Sequence, residues 1–229
     1  MKKLVLSIII GVASFTGLFG QNTEILRNPK SSVRFFTSFN INAFNHSAIN
    51  KRLQEVGIRS VSPLGVSAGF GVNYSYKRMG LGMMIEQFGG SLSNNSSNDL
   101  HATYSGNHFF LSYELVRKKS YLIVPQMGYS AINHAITVLQ KTGSIGFNQG
   151  LSSGNAAIVY NSAAMLNIGV GILKYEPVKR YQSHQLKVGY NIAFKSSNWQ
   201  MLNATATNAP ADNLSYFYIQ YGWGLALQR

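Results

Sequence analysis

The chain of 229 residues carries 20 Lys+Arg against 7 Asp+Glu, a formal charge of +13, yet only 12% of it is charged, against roughly 25% in an ordinary soluble domain. It has no Cys, which excludes a disulfide framework and a thiolate metal site. No stretch after the N-terminal run reaches the ~18 successive apolar residues of a transmembrane helix, a criterion blind to membrane strands.

The first segment, "MKKLVLSIIIGVASFTGLFGQ", places Lys2 and Lys3 before an apolar run from Leu4 to Val12, with small residues up to Gly20. That three-part plan predicts a secretory signal over 1–20. Residues 21–32 read as a polar lead-in, and 33–229 as one β domain.

In "VRFFTSFNINAF", Val33, Phe35, Phe39, Ile41 and Ala43 share one face and Arg34, Ser38, Asn40 and Asn42 the other, with Phe36 out of pattern. A long link follows, 45–63. Within it "SAINKRLQEVG" predicts a short helix capped by Ser47, with Ile49, Leu53 and Val56 on one face and Gly57 at its end. The second strand, "LGVSAGFGVNYSY", alternates large apolar with small or polar residues for thirteen positions. That is long for a soluble strand, whose mode is ~5–6 residues, and suits a tilted transmembrane strand of ~9–11 plus its ends. A tight turn at Lys77–Arg78 leads into "MGLGMMIEQF", with Met79, Leu81, Met83 and Ile85 opposite Gly80, Gly82 and Glu86.

A Ser/Asn-rich link precedes "HFFLSYEL", where Phe109, Leu111, Tyr113 and Leu115 oppose His108, Ser112 and Glu114. Arg117, Lys118 and Lys119 form the next turn. "YLIVPQMGYS" follows, then a long link over 133–157. The sixth strand sets Leu166, Ile168, Val170 and Ile172 against Asn167, Gly169 and Gly171. The seventh sets Leu186, Val188, Tyr190, Ile192 and Phe194 against Lys187, Gly189, Asn191 and Lys195. The closing strand sets Phe217, Ile219, Tyr221, Trp223, Leu225 and Leu227 against Tyr218, Gln220, Gly222, Gly224 and Ala226. Connections are alternately long and short. The expectation is an all-β, eight-stranded antiparallel up-and-down barrel with a short helix in the first long loop.

Two barrels fit eight meander strands. A lipocalin-like soluble barrel turns its apolar face inward; a transmembrane barrel turns it outward to lipid. The polar face here is mostly Gly, Ser, Asn and Ala. A water-facing surface would carry many more Lys and Glu, whereas the interior of a narrow barrel needs small residues and a few paired charges. The transmembrane barrel is therefore favoured. Tyr74, Tyr76, Tyr113 and Tyr121 near the short turns, and Phe44, Tyr160 and Phe194 near the long loops, suggest two aromatic girdles.

The signal ending before Gln21, "INKRLQEVG", "GVSAGFGVNYSYKR" and the aromatic last strand resemble the small outer-membrane β-barrel proteins of Bacteroidetes. The resemblance extends over essentially the whole chain after the signal, but none of its motifs is catalytic. It implies an outer-membrane location, with short turns and termini towards the periplasm and long loops outside. The last strand departs from many such barrels by ending on Arg229 rather than an aromatic residue.

Five charges are predicted to face the lumen: Arg34, Glu86, Glu114, Lys187 and Lys195. An unpaired buried charge is costly, so Glu86 and Glu114 are expected to pair with Arg34 or Lys187 as a structural plug. The alternative is a narrow pore or small-ligand carrier. Lys77, Arg78, Arg117, Lys118, Lys119, Lys174, Lys179, Arg180 and Arg229 gather at the short-turn rim. There they suit anionic lipid headgroups or an acidic periplasmic partner; the long loops offer a second surface for a protein partner. Basic residues scattered over turns do not make a nucleic-acid site. His46, His101, His108, His134 and His184 lack metal-ligand spacing, and no cofactor motif is present. His108, Ser112 and Glu114 share one strand face, which raises a lipid-modifying enzyme as the remaining alternative. Neighbours two apart on one strand do not by themselves make a catalytic triad.

Overall fold

The computed structural model describes residues 31–88, 92–94, 98–118, 121–140, 156–175, 182–202 and 207–228. The proposed signal, the lead-in as far as residue 30, Lys119, Lys179, Arg180 and Arg229 lie outside the described residues, as do the side chains of Arg117 and Lys118.

Eight strands close into a ring: β1 (Ser31–Phe44), β2 (Leu64–Tyr76), β3 (Met79–Phe88), β5 (Asn98–Tyr113), β7 (Tyr121–Gln140), β8 (Ala156–Tyr175), β9 (Gln182–Ser196) and β11 (Tyr216–Gln228). Each pairs antiparallel with its neighbour, and β1 pairs with β11 from Ser32↔Gln228 to Phe44↔Tyr216. Closure leaves no long unpaired edge, the condition for crossing a bilayer with strands. Three short pieces extend the ladders: β4 (Leu92–Asn94) on β5, β6 (Val116–Lys118) on β7, and β10 (Gln200–Met201) on β8. The helix α1 (Ser47–Glu55) lies in the first long connection. The eight-stranded meander with one short helix matches the expectation from sequence.

Alternation translates directly into two faces. Phe70, Leu81, Phe109, Met127, Ile168, Tyr190 and Leu225 are exposed on the outside. Arg34, Asn73, Glu86, His108, Gln126, Asn167, Lys187 and Gln220 are buried inside. So much contiguous exposed apolar surface is incompatible with water and natural in lipid. Phe36, which broke the sequence pattern, points inward and packs with Met84 and Phe110. Glycine makes room for these rings: a Cβ on Gly71 would lie 2.5 Å from Phe36 Cζ, and Gly82 faces Phe110 in the same way.

Several expectations are corrected. Lys195 does not enter the lumen. The β8–β9 register shifts between Ala164↔Lys195 and Met165↔Ala193, so a bulge inserts Phe194 and leaves Lys195 exposed. Phe44 is buried in the barrel rather than standing in an outer girdle, although Tyr160 and Phe194 are exposed. Glu114 sits just past the end of β5, with its N–H donating to the Arg78 carbonyl at 2.8 Å, and so belongs to the rim. Ser47 is the first helical residue, not the cap. The second and third helical N–H groups, Ala48 and Ile49, donate instead to the Asp212 carboxylate at 2.7 and 3.0 Å. Gly57 does end the helix. Its φ of 75° sets a Schellman pattern, with Gly57 N–H on Gln54 O at 3.0 Å and Ile58 N–H on Leu53 O at 2.8 Å. Ile49 and Leu53 face inward, while Val56, already past the last turn, is exposed.

The largest difference concerns strand length. The Ser/Asn-rich link and the link at 133–157 are partly strand: β5 starts at Asn98, β7 runs to Gln140 and β8 starts at Ala156. In these upper portions Leu100, Ala102, Ile132, Ile136, Val138 and Ala163 point inward and are buried. His101, Asn133 and Ser162 point outward and are exposed.

Candidate functional site: a filled lumen under an aromatic cap

The centre of the lumen is organised by Glu86, 3% exposed. It arrives from β3 opposite Gly69 of β2 and Gly106 of β5. Asn40 Nδ2 donates to its Oε1 at 2.7 Å and Asn42 Nδ2 at 3.3 Å. The Ser67 hydroxyl also donates to it, and the Tyr104 hydroxyl does so at 3.2 Å. On its other oxygen, His108 Nε2 approaches to 2.8 Å, in ion-pair range though off the ideal hydrogen-bond direction. Five neighbours from three strands thus surround one carboxylate, the satisfaction a buried charge requires.

The network continues across the lumen through His108. Its Nδ1 is 2.8 Å from Ser130 Oγ, and the Ser130 hydroxyl donates to Asn191 Oδ1 at 3.3 Å. Asn167 Nδ2 donates to Asn191 Oδ1 at 2.9 Å and to the Tyr218 hydroxyl at 3.1 Å, and Gln126 Nε2 donates to Asn167 Oδ1 at 3.0 Å. Carboxylate, imidazole and hydroxyl in sequence have the order of a nucleophilic triad. Ser130 is fully buried, however, so no substrate reaches it, and the chain serves as a cross-lumen brace.

The other predicted lumen charges are distributed differently from the expectation. Glu86 pairs with His108, not with Arg34 or Lys187. Lys187 lies buried between two rings, its Nζ 5.6 Å from the Phe110 centroid and 5.3 Å from that of Tyr218, a cation–π arrangement. Arg34 donates through Nη2 to Gln185 Oε1 at 2.8 Å and stacks 5.0 Å over Phe36. Arg34, Arg78 and Glu114 line a small vestibule at the short-turn end. The His108, Ser112 and Glu114 face does not reach the outer rim: His108 is at the barrel centre and Glu114 at the opposite end.

Above this network the mouth is closed. Phe44, His46 and His134 stack, with the His46 and His134 centroids 4.8 Å apart at 16°. Tyr104 and Tyr216 pack on Phe44, and Trp199 tilts against His134. Ile49 and Leu53 of α1, with Val61 and Leu214, complete one apolar cluster with the inward residues of the upper strands. Asp212 ties the pieces together. Besides capping α1, it accepts from Trp199 Nε1 at 2.9 Å. In the sequence His46 and His134 stand out only as histidines without metal-ligand spacing, and nothing marks Asp212 or Trp199. No local pattern joins positions 46, 134, 199 and 212.

No family model matches the chain, and no curated protein matches it. Among solved structures it is similar to the outer membrane protein OprG of Pseudomonas aeruginosa, with a TM-score of 0.52 at 9% identity over 90% of this chain and 100% of that one. It is also similar to Ail, the attachment invasion locus protein of Yersinia pestis, in complex with the heparin analogue sucrose octasulfate. There the TM-score is 0.50 at 9% identity, over 86% and 99% of the two chains. At such identities the likeness establishes the barrel fold and no more.

Proposed function

We propose that the protein is an integral outer-membrane barrel with a structural or interaction role, not an open pore. The filled lumen carries this reading. Among the described residues, a space of about 20 Å³ beside Glu86 and His108 and the short-turn vestibule of about 30 Å³ each hold on the order of one or two waters. The Phe36–Met84–Phe110 cluster and the Glu86 network fill the space between. The work then falls to the two ends. The long-loop end, closed by the cap and raised on the extended strands, faces outside. The short-turn rim bears the exposed Lys77 and Arg78, which suit anionic headgroups at about 1 kcal/mol each or an acidic periplasmic partner. The kinship with Bacteroidetes barrels is supported by the "INKRLQEVG" and "GVSAGFGVNYSYKR" segments.

Planar-bilayer recording of the purified protein tests this reading. A quiet trace at neutral pH is expected, and stable single-channel conductance would replace the interaction role with the narrow pore. Location is checked separately. The protein should sediment with outer membranes and migrate faster on a gel when unheated. Recovery in the soluble fraction overturns the membrane assignment.

A further inference from the structure

We propose that the cap is a pH-operated lid: protonation of the stacked His46 and His134 rings loosens α1 from the mouth of the barrel while Asp212 acts as its latch. The geometry carries this. Two imidazoles lie nearly parallel at 4.8 Å within an otherwise apolar and aromatic cluster. Both are buried, at 4% and 2% exposed. Neutral rings stack there readily; two imidazolium ions at that spacing repel. The helix they hold is short, at nine residues, so it depends on its docking rather than on its own propensity. Its docking is by Ile49, Leu53 and one carboxylate that also holds Trp199.

The groups facing the pair set the direction. Asp212, from the segment before β11, attracts a proton on His46, while His46 and His134 disfavour each other's charge. Tyr104 from β5 and Tyr216 from β11 present neutral phenols, and the Glu86 carboxylate lies deeper, beyond Tyr104. Lys51, Arg52 and Glu55 of α1 stand on its solvent side. Burial is the largest influence on His46 and lowers its pKa, with Asp212 opposing. The sign follows. The closed cap holds fewer protons than the open one, whose histidines titrate near ~6.5. Closure is therefore fully favoured above about pH 6.5 and weakens as pH falls, by up to about tenfold per pH unit for each histidine that gains a proton only on opening.

The test uses Trp199 as reporter. Trp199 and Trp223 are the chain's two tryptophans, and Trp223 faces lipid, so Trp223→Phe isolates Trp199. Acrylamide quenching of the refolded barrel in phosphatidylcholine vesicles is measured from pH 8 to pH 5. Quenching should rise severalfold below pH 6.5, and His46→Phe/His134→Phe, which keeps an aromatic stack, should remove the rise. Asp212→Asn should be strongly quenched even at pH 8. Flat quenching in the parent overturns the lid, and a rise that survives in the double variant assigns it to another group. Should the double variant be open already at pH 8, the single His46→Phe variant decides. A reduced pH slope sustains the proposal and an unchanged slope overturns it.

Discussion

The lower and upper parts of this barrel turn different chemistry outward from the same strands. Along β7, Met127 and Tyr129 point outward into an apolar surround while Gln126 and Ser130 are buried. A few residues later, Ile132, Ile136 and Val138 are buried and Asn133 is exposed. Nothing in the backbone changes: the ladder to β8 continues in register from Tyr121↔Lys174 to Leu139↔Ala156. What changes is the solvent outside. In lipid, the polar residues go in because hydrocarbon cannot satisfy them. In water, the apolar residues go in because water expels them. Along β7 the outward face thus passes from Met127 and Tyr129 to Asn133, while the interior holds apolar side chains both below this change, at Leu122 and Val124, and above it.

The largest way to break this picture is to remove its polar centre. Glu86→Ala leaves His108 and the donors of Asn40, Ser67 and Tyr104 without their acceptor inside a closely filled lumen. It should destabilise the barrel by about 3–5 kcal/mol, the cost of breaking a buried pair. Guanidinium unfolding in lipid vesicles measures it. A loss below about 1 kcal/mol would mean that the lower lumen is wet and the network dispensable. Ile136→Ala probes the upper interior, where a fully buried side chain loses both transfer free energy and packing. About 2–4 kcal/mol is expected in that region, and an insignificant change would show that the upper strands do not enclose a core.

A matched pair sharpens the boundary itself. Ile168→Arg puts a charge on the lipid face, near the middle of the membrane span, and should cost about 2–4 kcal/mol. Asn133→Arg puts the same charge on the same outward side above the change in outward chemistry, and should fall within about 0.5 kcal/mol of wild type. Equal costs at the two sites would erase the distinction, and an intermediate cost at 133 would move the hydrocarbon edge upward.

Much of the lower region was legible from sequence because lipid tolerates few exceptions: the outward residues of the last strand, from Phe217 to Leu227, follow one unbroken alternation. The upper region reads as loop from the sequence because its alternation runs the other way. Leu100, Ala102 and Tyr104 interleave with His101, Thr103 and Ser105 as in a soluble strand, and that signal was present in the "NDLHATYSGN" stretch. Lys195 was misplaced because a bulge shifts parity by one and leaves no mark that periodicity can read. Of the cap, the helix with Ile49 and Leu53 on its inward face was legible, and its docking was not. Phe44, His46, His134, Trp199 and Asp212 meet only through the closure of the ring, and the pairing of Glu86 with His108 depends on β3 lying beside β5.

The two regions should also differ in how they lose structure, and Gly57→Ala separates them most cleanly. A Cβ at Gly57 meets no atom within 4 Å, so the substitution adds no clash and removes no contact. Its whole effect comes from φ of 75°, a conformation that costs a residue with a Cβ about 1–2 kcal/mol. That strain bears on the Schellman turn ending α1, and so on the cap. Docking of a nine-residue helix is a local equilibrium, whereas eight paired strands open together. Trp199 in the Trp223→Phe background should therefore become more accessible to acrylamide at neutral pH, by about five- to thirtyfold in the population of the open cap, while the unfolding midpoint of the barrel stays fixed. A midpoint that fell along with the cap would mean that helix and barrel form one cooperative unit. The upper region would then be part of the lower one rather than a structure resting on it.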